Sequence, residues 1–158
     1  MEYKWNRRFL ELAKHVSTWS KDPSTQVGAV LVNGRREVVS VGYNGFARNV
    51  FDLQSRYEDR PTKYKFIVHA EVNAIVTAGE RARGATLYVY PSFGIPCICQ
   101  DCAKMAIQAG VTCVVGYIPK VSKELQERWK DSLATSSEMF TEAGVAFYGI
   151  PEDVDSRD

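Results

Sequence analysis

Residues 85–117 open with Ala85-Thr86-Leu87-Tyr88-Val89-Tyr90 and close with Val111-Thr112-Cys113-Val114-Val115-Gly116-Tyr117. Both runs are rich in β-branched and aromatic side chains, and each reads as a strand, with Leu87 and Val89 alternating against their neighbours. Between them, residues 91–98 form a loop rich in turn formers. Residues 99–109 read as a helix that Gly110 stops, a position that suits a C-terminal cap. Strand, helix and strand in succession build an α/β layered domain, with a sheet covered on both faces.

The same alternation extends outward. Trp5, Phe9, Leu12, Ala13 and Val16 have the three-and-four spacing of an amphipathic helix over residues 3–19. Pro23 pushes Asp22 out of helical geometry and ends it. Residues 27–32 and 38–41 read as two strands joined by a turn at Asn33-Gly34. Residues 47–65 are polar without a clear period, which predicts an irregular insertion. Val72, Ile75, Val76 and Gly79 fit one helical face over residues 69–82. Residues 122–143 predict a last helix, and Gly144 precedes a short strand at 145–148. The charged tail from Pro151 is expected to be loose, leaving residues 1–150 as a single domain and 151–158 outside it.

The chain has 158 residues, room for one compact domain with a real core. Twenty basic side chains against nineteen acidic ones leave a net charge of +1, which provides no general field for nucleic acid. A nucleic-acid partner is therefore not expected. No apolar run is long enough to span a bilayer, and the N-terminus lacks the apolar stretch of a signal peptide. A soluble cytoplasmic protein without a membrane partner is the expectation. The four cysteines, Cys97, Cys99, Cys102 and Cys113, fall in one short window, which favours metal binding over a disulfide framework.

Chemistry concentrates at two predicted helix starts, His69-Ala70-Glu71 and Pro96-Cys97-Ile98-Cys99-Gln100-Asp101-Cys102. Cysteines three apart in a first helical turn share one face, so Cys99 and Cys102 can close on one ion with His69. One imidazole and two thiolates leave the fourth position of tetrahedral zinc open for water. Glu71, two residues after His69, is placed to carry protons between that water and a substrate. H-x-E followed by P-C-x-x-C is the known signature of zinc deaminases, in which the glutamate is general acid and base. Here Pro96 precedes Cys97 and Ile98 precedes Cys99. Taking Cys97 as the first ligand would require a cysteine at position 100, which is Gln100, so Cys99 and Cys102 are assigned. A structural site would instead need a fourth protein ligand, with His15 or Cys97 as candidates. Cys113 reads as core.

Further segments sharpen the resemblance. Ser20-Lys21-Asp22-Pro23, Gln26-Val27-Gly28-Ala29-Val30, Gly42-Tyr43-Asn44-Gly45-Phe46, His69-Ala70-Glu71-Val72-Asn73-Ala74-Ile75 and Cys102-Ala103-Lys104-Met105-Ala106 together resemble the deoxycytidylate (dCMP) deaminases. The resemblance runs from the first helix to Ala143-Gly144-Val145. It implies a cytidine-deaminase-like three-layer α/β/α sandwich with a central five-stranded mixed sheet. It also implies one Zn2+ per chain, hydrolysis of the C4 amino group of dCMP to give dUMP for dTMP synthesis, and a homo-hexamer. Regulation by dCTP and dTTP, with Mg2+ accompanying the triphosphate, belongs to the same expectation.

The resemblance places Asn44 on the substrate sugar and Glu71, with Ala70 beside it, on the base. Phe93, in a loop over residues 90–99 that is longer than usual, approaches the base and opens a 5-substituted dCMP as an alternative substrate. Lys21 and Ser24 are candidates for the phosphate. Gly42, Tyr43, Gly45 and Phe46, with Arg48, are candidates for the effector. The basic side chains Arg48, Arg56, Arg60, Lys63 and Lys65 either bind phosphate or form a solvated loop. Two other readings compete: a nucleic-acid deaminase of the tRNA adenosine type, and a catalytically silent zinc module used in assembly.

Overall fold

The computed structural model describes residues 2–152. In chain order it runs α1 (Glu2–Ser17), β1 (Gly28–Val32), β2 (Val38–Tyr43), β3 (Gly45–Phe46), α2 (Gln54–Glu58), α3 (Arg60–Phe66), β4 (Ile67–Val68), α4 (Ala70–Ala78), β5 (Thr86–Tyr90), α5 (Gln100–Ala109), β6 (Cys113–Tyr117), α6 (Lys123–Ala143) and β7 (Ala146–Ile150). Five strands form one mixed sheet in the order β2-β1-β5-β6-β7. β1 is antiparallel to both β2 and β5, whereas β5, β6 and β7 run parallel. Helix α1 covers one face, α4 and α5 cover the other, and α6 lies on α5 and β7. This is the expected three-layer α/β/α sandwich.

Strand alternation divides the core in two. Ala29, Leu31, Leu87, Val89 and Val114 face Ala70, Ala74, Cys102, Ala106 and Phe140 on one side of the sheet. Val30, Val32, Tyr88, Val115 and Tyr117 face Phe9, Leu10 and Ala13 on the other. Both faces are apolar because both carry helices, which is why β1 is buried along its whole length. Phe140 has no exposed surface, and truncating it to alanine is expected to cost about 3–5 kcal/mol.

Several boundaries differ from the sequence expectation. The insertion at 47–65 is not irregular. It contains α2 and α3, separated by Asp59, whose carboxylate accepts from the Thr62 amide, and the β3–β4 pair closes its base. The helix read over 69–82 stops at Ala78, where Gly79 takes φ +59°, and a 3-10 turn finishes the segment. The last strand runs two residues further, because Ile150 continues the parallel register against Tyr117. Pro151 and Glu152, expected to be loose, are tied to α1. Tyr3 donates to the Pro151 carbonyl at 3.1 Å, and Lys14 pairs with the Glu152 carboxylate at 3.1 Å. The rest of the expected loose tail, 153–158, lies outside the described residues. Among the described residues no helix is long and apolar enough to cross a membrane.

The register sets where a site can form. Tyr90 at the end of β5 lies opposite Gly28 at the start of β1, and Gly28 lies opposite Tyr43 at the end of β2. The loops after β2 and β5 and the segment before β1 therefore meet at one edge of the sheet. In α/β sheets this carboxyl-end crevice is where ligands bind.

Candidate active site

Two helices begin at that edge, and each begins on a side chain able to ligate a metal. His69 is the N-cap of α4 and Cys99 the N-cap of α5, both with extended backbone. Glu71 and Cys102 follow within the first turns. The His69 Nδ1 lies 3.2 Å from Cys102 Sγ and 3.6 Å from Cys99 Sγ. All three candidate donor atoms fall within 4.8 Å of one another. A tetrahedral zinc with ordinary bond lengths separates its nitrogen and sulfur ligands by about 3.5 Å, so the cluster has the right size. Two thiolates also neutralise a divalent cation held where two positive helix ends converge.

The titration of these groups suits metal capture. Hydrogen bonds from Cys102 and His69 hold the Cys99 thiol down at about 4 against its burial. The Cys99 hydrogen bond lifts His69 to about 9, and the bond to Cys99 followed by burial pushes Cys102 up. Cys99 is thus ready as a thiolate, and a cation must displace protons from the other two ligands.

Cys97 and His15, weighed as a fourth ligand, are not brought to the cluster. Cys97 packs against β6: a Cβ on Gly116 would stand 2.8 Å from its sulfur. His15 is exposed on α1 and meets Trp19 edge to face at 5.7 Å. Cys113, read as core, is only half-buried at the head of β6.

A pocket opens onto the cluster. Its floor includes His69, Ala70, Glu71, Cys97 and Cys99, and its mouth includes Arg60, Tyr64 and Arg128. Glu71 is 5% exposed, and burial raises its carboxyl, with only partial opposition from His69. Burial thus strengthens its hold on a proton relative to an exposed glutamate. Phe93 stacks on Trp129 of α6 at 6.0 Å and lines one wall. Helix α6 braces this wall. Ser136 donates to the Ile98 carbonyl at 2.9 Å, and the Gln100 amide donates to Ser132 at 2.9 Å.

The opposite wall is a polar lattice. Asn44 is buried; its Oδ1 accepts from the Val27 amide at 2.9 Å, and its Nδ2 donates to the Thr25 carbonyl at 2.9 Å. Asp22 accepts from the Ser24 and Thr25 amides and pairs with Lys63 at 3.2 Å. The Lys63 ammonium also donates to Ser24 Oγ at 2.8 Å. Burial alone would raise Asp22, but these bonds outweigh it and hold the carboxyl below its ordinary value.

Of the proposed substrate contacts, Ser24, Asn44, Ala70 and Phe93 line the pocket. Lys21 does not: its side chain is 70% exposed and its ammonium pairs with Asp52 at 3.0 Å. The effector candidates Gly42, Tyr43, Gly45, Phe46 and Arg48 also lie outside the pocket lining. Gly42 is buried against α4, and Phe46 stacks face to face on Tyr57 at 4.0 Å. Tyr43 and Arg48 are exposed. The α6 side chains of the pocket, Leu125, Arg128, Trp129 and Leu133, carried no sequence signal beyond the apolar period of a helix.

A family model described as cytidine and deoxycytidylate deaminase zinc-binding region matches residues 3–118. The chain belongs to the cytidine and deoxycytidylate deaminase family. All four residues of the candidate centre fall within the match, whereas α6 lies beyond it. An uncharacterized deaminase from the luxG 3′ region of Aliivibrio fischeri is 39% identical over 153 residues, covering 96% of this chain and 97% of the relative. Human deoxycytidylate deaminase is 32% identical over 152 residues, covering 91% of this chain and 78% of its own. The crystal structure of a dCMP deaminase from the cyanophage S-TIM5, in complex with dCMP and dUMP, superimposes with a TM-score of 0.64. That likeness covers 88% of this chain and 91% of the phage chain at 24% identity, and it supports the family's fold.

Proposed function

We propose that this chain is a zinc-dependent hydrolytic deaminase that converts dCMP to dUMP and ammonia. The observation that carries the reading is the placement of Glu71, a buried carboxyl with a raised affinity for protons, in one pocket with His69 and Cys99, whose donor cluster the fully buried Cys102 completes. The donor set fits zinc: two sulfurs and one imidazole nitrogen, with no fourth protein ligand among the described residues. Zinc held there supplies water activated at neutral pH, lowering its pKa from about 15.7 to about 7.

Glu71 does the proton work. It takes a proton from the water and delivers it to the ring nitrogen N3, making C4 electrophilic. Once the hydroxyl has added to C4, Glu71 takes that hydroxyl's remaining proton and passes it to the C4 amino group, so the C4–N bond breaks, the C4 carbonyl forms and ammonia leaves. A carboxyl poised by burial suits both directions of transfer. Phe93 and Trp129 offer the base an apolar wall, and the polar lattice around Asn44 faces the sugar. A catalytically silent zinc module used in assembly has no use for such a carboxyl, and near-neutral net charge argues against a long nucleic-acid substrate.

The relatives' names support the monophosphate. The finer expectations rest on the resemblance: a homo-hexamer in the cytoplasm, serving pyrimidine nucleotide synthesis, activated by dCTP and inhibited by dTTP. An ammonia-release screen over dCMP, CMP, dCTP, deoxycytidine and 5-methyl-dCMP tests the reading, with dCMP expected to react best. No release from any cytosine nucleotide by zinc-loaded protein would refute it.

A further inference from the structure

A nucleotide whose base reaches Glu71 at the pocket floor must leave its 5′-phosphate at the mouth. A dianion there needs cationic partners, and the cations near this edge differ in what they have left to offer. Lys21 is committed to Asp52 on the surface. Lys63 is committed to Asp22 and Ser24 within the wall, with its side chain only 9% exposed. Arg60 and Arg128 line the pocket and are exposed, and among the described residues neither has an ion pair.

The two arginines stand on different elements. Arg60 opens α3 and shares its pocket-facing side with Lys63 and Tyr64, one helical turn along. Arg128 lies within α6, beside Trp129 and one turn from Leu125, all three in the pocket lining. Lys63 bolts α3 to the loop carrying Asp22 and Ser24, which fixes the helix that presents Arg60. The Phe93–Trp129 stack likewise fixes the segment of α6 that presents Arg128. A guanidinium presents a planar fork that matches two phosphate oxygens, so a rigidly carried pair is a selective phosphate clamp.

We propose that Arg60 and Arg128 form the 5′-phosphate clamp of this pocket and set its preference for a nucleoside monophosphate over the nucleoside. Lys63 is a positioning residue for Arg60, and Lys21 takes no part. The assignment rests on the reading of the site as a deaminase centre for a free nucleotide. It names a determinant, Arg128, that lies outside the stretch matched to the family.

The test uses zinc-loaded protein and compares kcat/KM for dCMP and for deoxycytidine in wild type, Arg60→Gln, Arg128→Gln and Lys21→Gln. Zinc content and melting temperature are checked for each variant. Each arginine variant is expected to lower the dCMP-to-deoxycytidine preference by roughly 10- to 100-fold, as suits loss of a charged hydrogen-bond partner. Affinity for dUMP, measured by calorimetry, should fall in parallel and become less sensitive to salt. Lys21→Gln is expected to keep the wild-type preference. An active enzyme whose arginine variants keep that preference, or whose Lys21→Gln variant loses it, overturns the clamp alone. A wild type that deaminates neither compound overturns the reading of the site, and the clamp with it.

Discussion

The His69 Nδ1 and the Cys102 Sγ lie 3.2 Å apart although 33 residues separate them in sequence. Two helices that start at the same sheet edge bring them together. His69 caps α4, and Cys102 lies in the first turn of α5 behind its own cap, Cys99. Thiol and imidazole at converging helix starts are a poor core and a good cation trap, since the Cys99 thiolate is stabilised by a backbone amide of its own helix start.

The register of the metal ligands follows from this geometry. Cys99→Ala is expected to lose bound zinc and activity together, while Cys97→Ala, altering a sulfur packed on Gly116, is expected to keep about one zinc per chain. Metal analysis of the purified variants checks this. Equal zinc loss in both would put Cys97 in the ligand set.

The buried Lys63–Asp22 pair predicts a pH-dependent stability. Asp22 has a depressed folded-state pKa, so its contribution is fully present above the unfolded value of 3.8 and is lost progressively as pH falls from there through the lower folded value. Asp22→Asn removes the only negative charge paired with the buried Lys63 ammonium among the described residues, and is expected to cost about 3 kcal/mol at pH 7. Lys63→Met should cost less, because the carboxylate keeps its bonds from Ser24 and Thr25. Urea unfolding at pH 7 and pH 3 measures both, and the Asp22→Asn deficit should shrink at the lower pH. A deficit that is the same at both values would remove the ionised pair from the account.

Gly42 has a packing role that the G-Y-N-G segment does not announce. A Cβ there would overlap the Ala70 carbonyl oxygen and stand 2.5 Å from the Ala74 nitrogen. Both are backbone atoms of the helix that carries Glu71, so they cannot yield without shifting it. Gly42→Ala is expected to cost about 3 kcal/mol, roughly 6–12 °C in melting temperature for a domain of this size. A variant melting within 2 °C of wild type, on the order of the effect of a neutral surface change, would show that β2 and α4 are not in this contact.

What the sequence made legible was local. H-x-E and C-x-x-C each open a helix, so ligand spacing and helix start are written in the same few residues. Strands β1, β5 and β6 could be read from β-branched runs, and Gly110 marked the end of α5. The insertion was illegible because α2 and α3 have five and seven residues, too few to show an apolar period. The pairing of Lys21 with Asp52 was illegible because the two are 31 residues apart and only folding brings them together. The α6 wall was missed for a related reason: Arg128 and Trp129 look like any amphipathic helix until Phe93 is stacked against them.

Regulation has its own outcome. If dCTP and dTTP favour different states of one assembly, dCMP kinetics should be sigmoidal and become hyperbolic with dCTP, since an effector acts only through differential affinity for two states. Initial rates against dCMP, with and without each triphosphate, measure it. Hyperbolic kinetics unaffected by either nucleotide would mean that the enzyme is unregulated.

The central claim is that Glu71 moves the protons of dCMP hydrolysis at a zinc held by His69, Cys99 and Cys102. Its most direct measurement is the conversion of dCMP to dUMP by zinc-loaded wild type and Glu71→Gln, with zinc content and melting temperature determined on the same samples. The account predicts that wild type forms dUMP and ammonia in equal amounts, while Glu71→Gln keeps its zinc and fold and is slower by at least about 10²–10⁴-fold. A Glu71→Gln enzyme that remains nearly as fast as wild type, or a wild type that leaves dCMP unchanged, would contradict it.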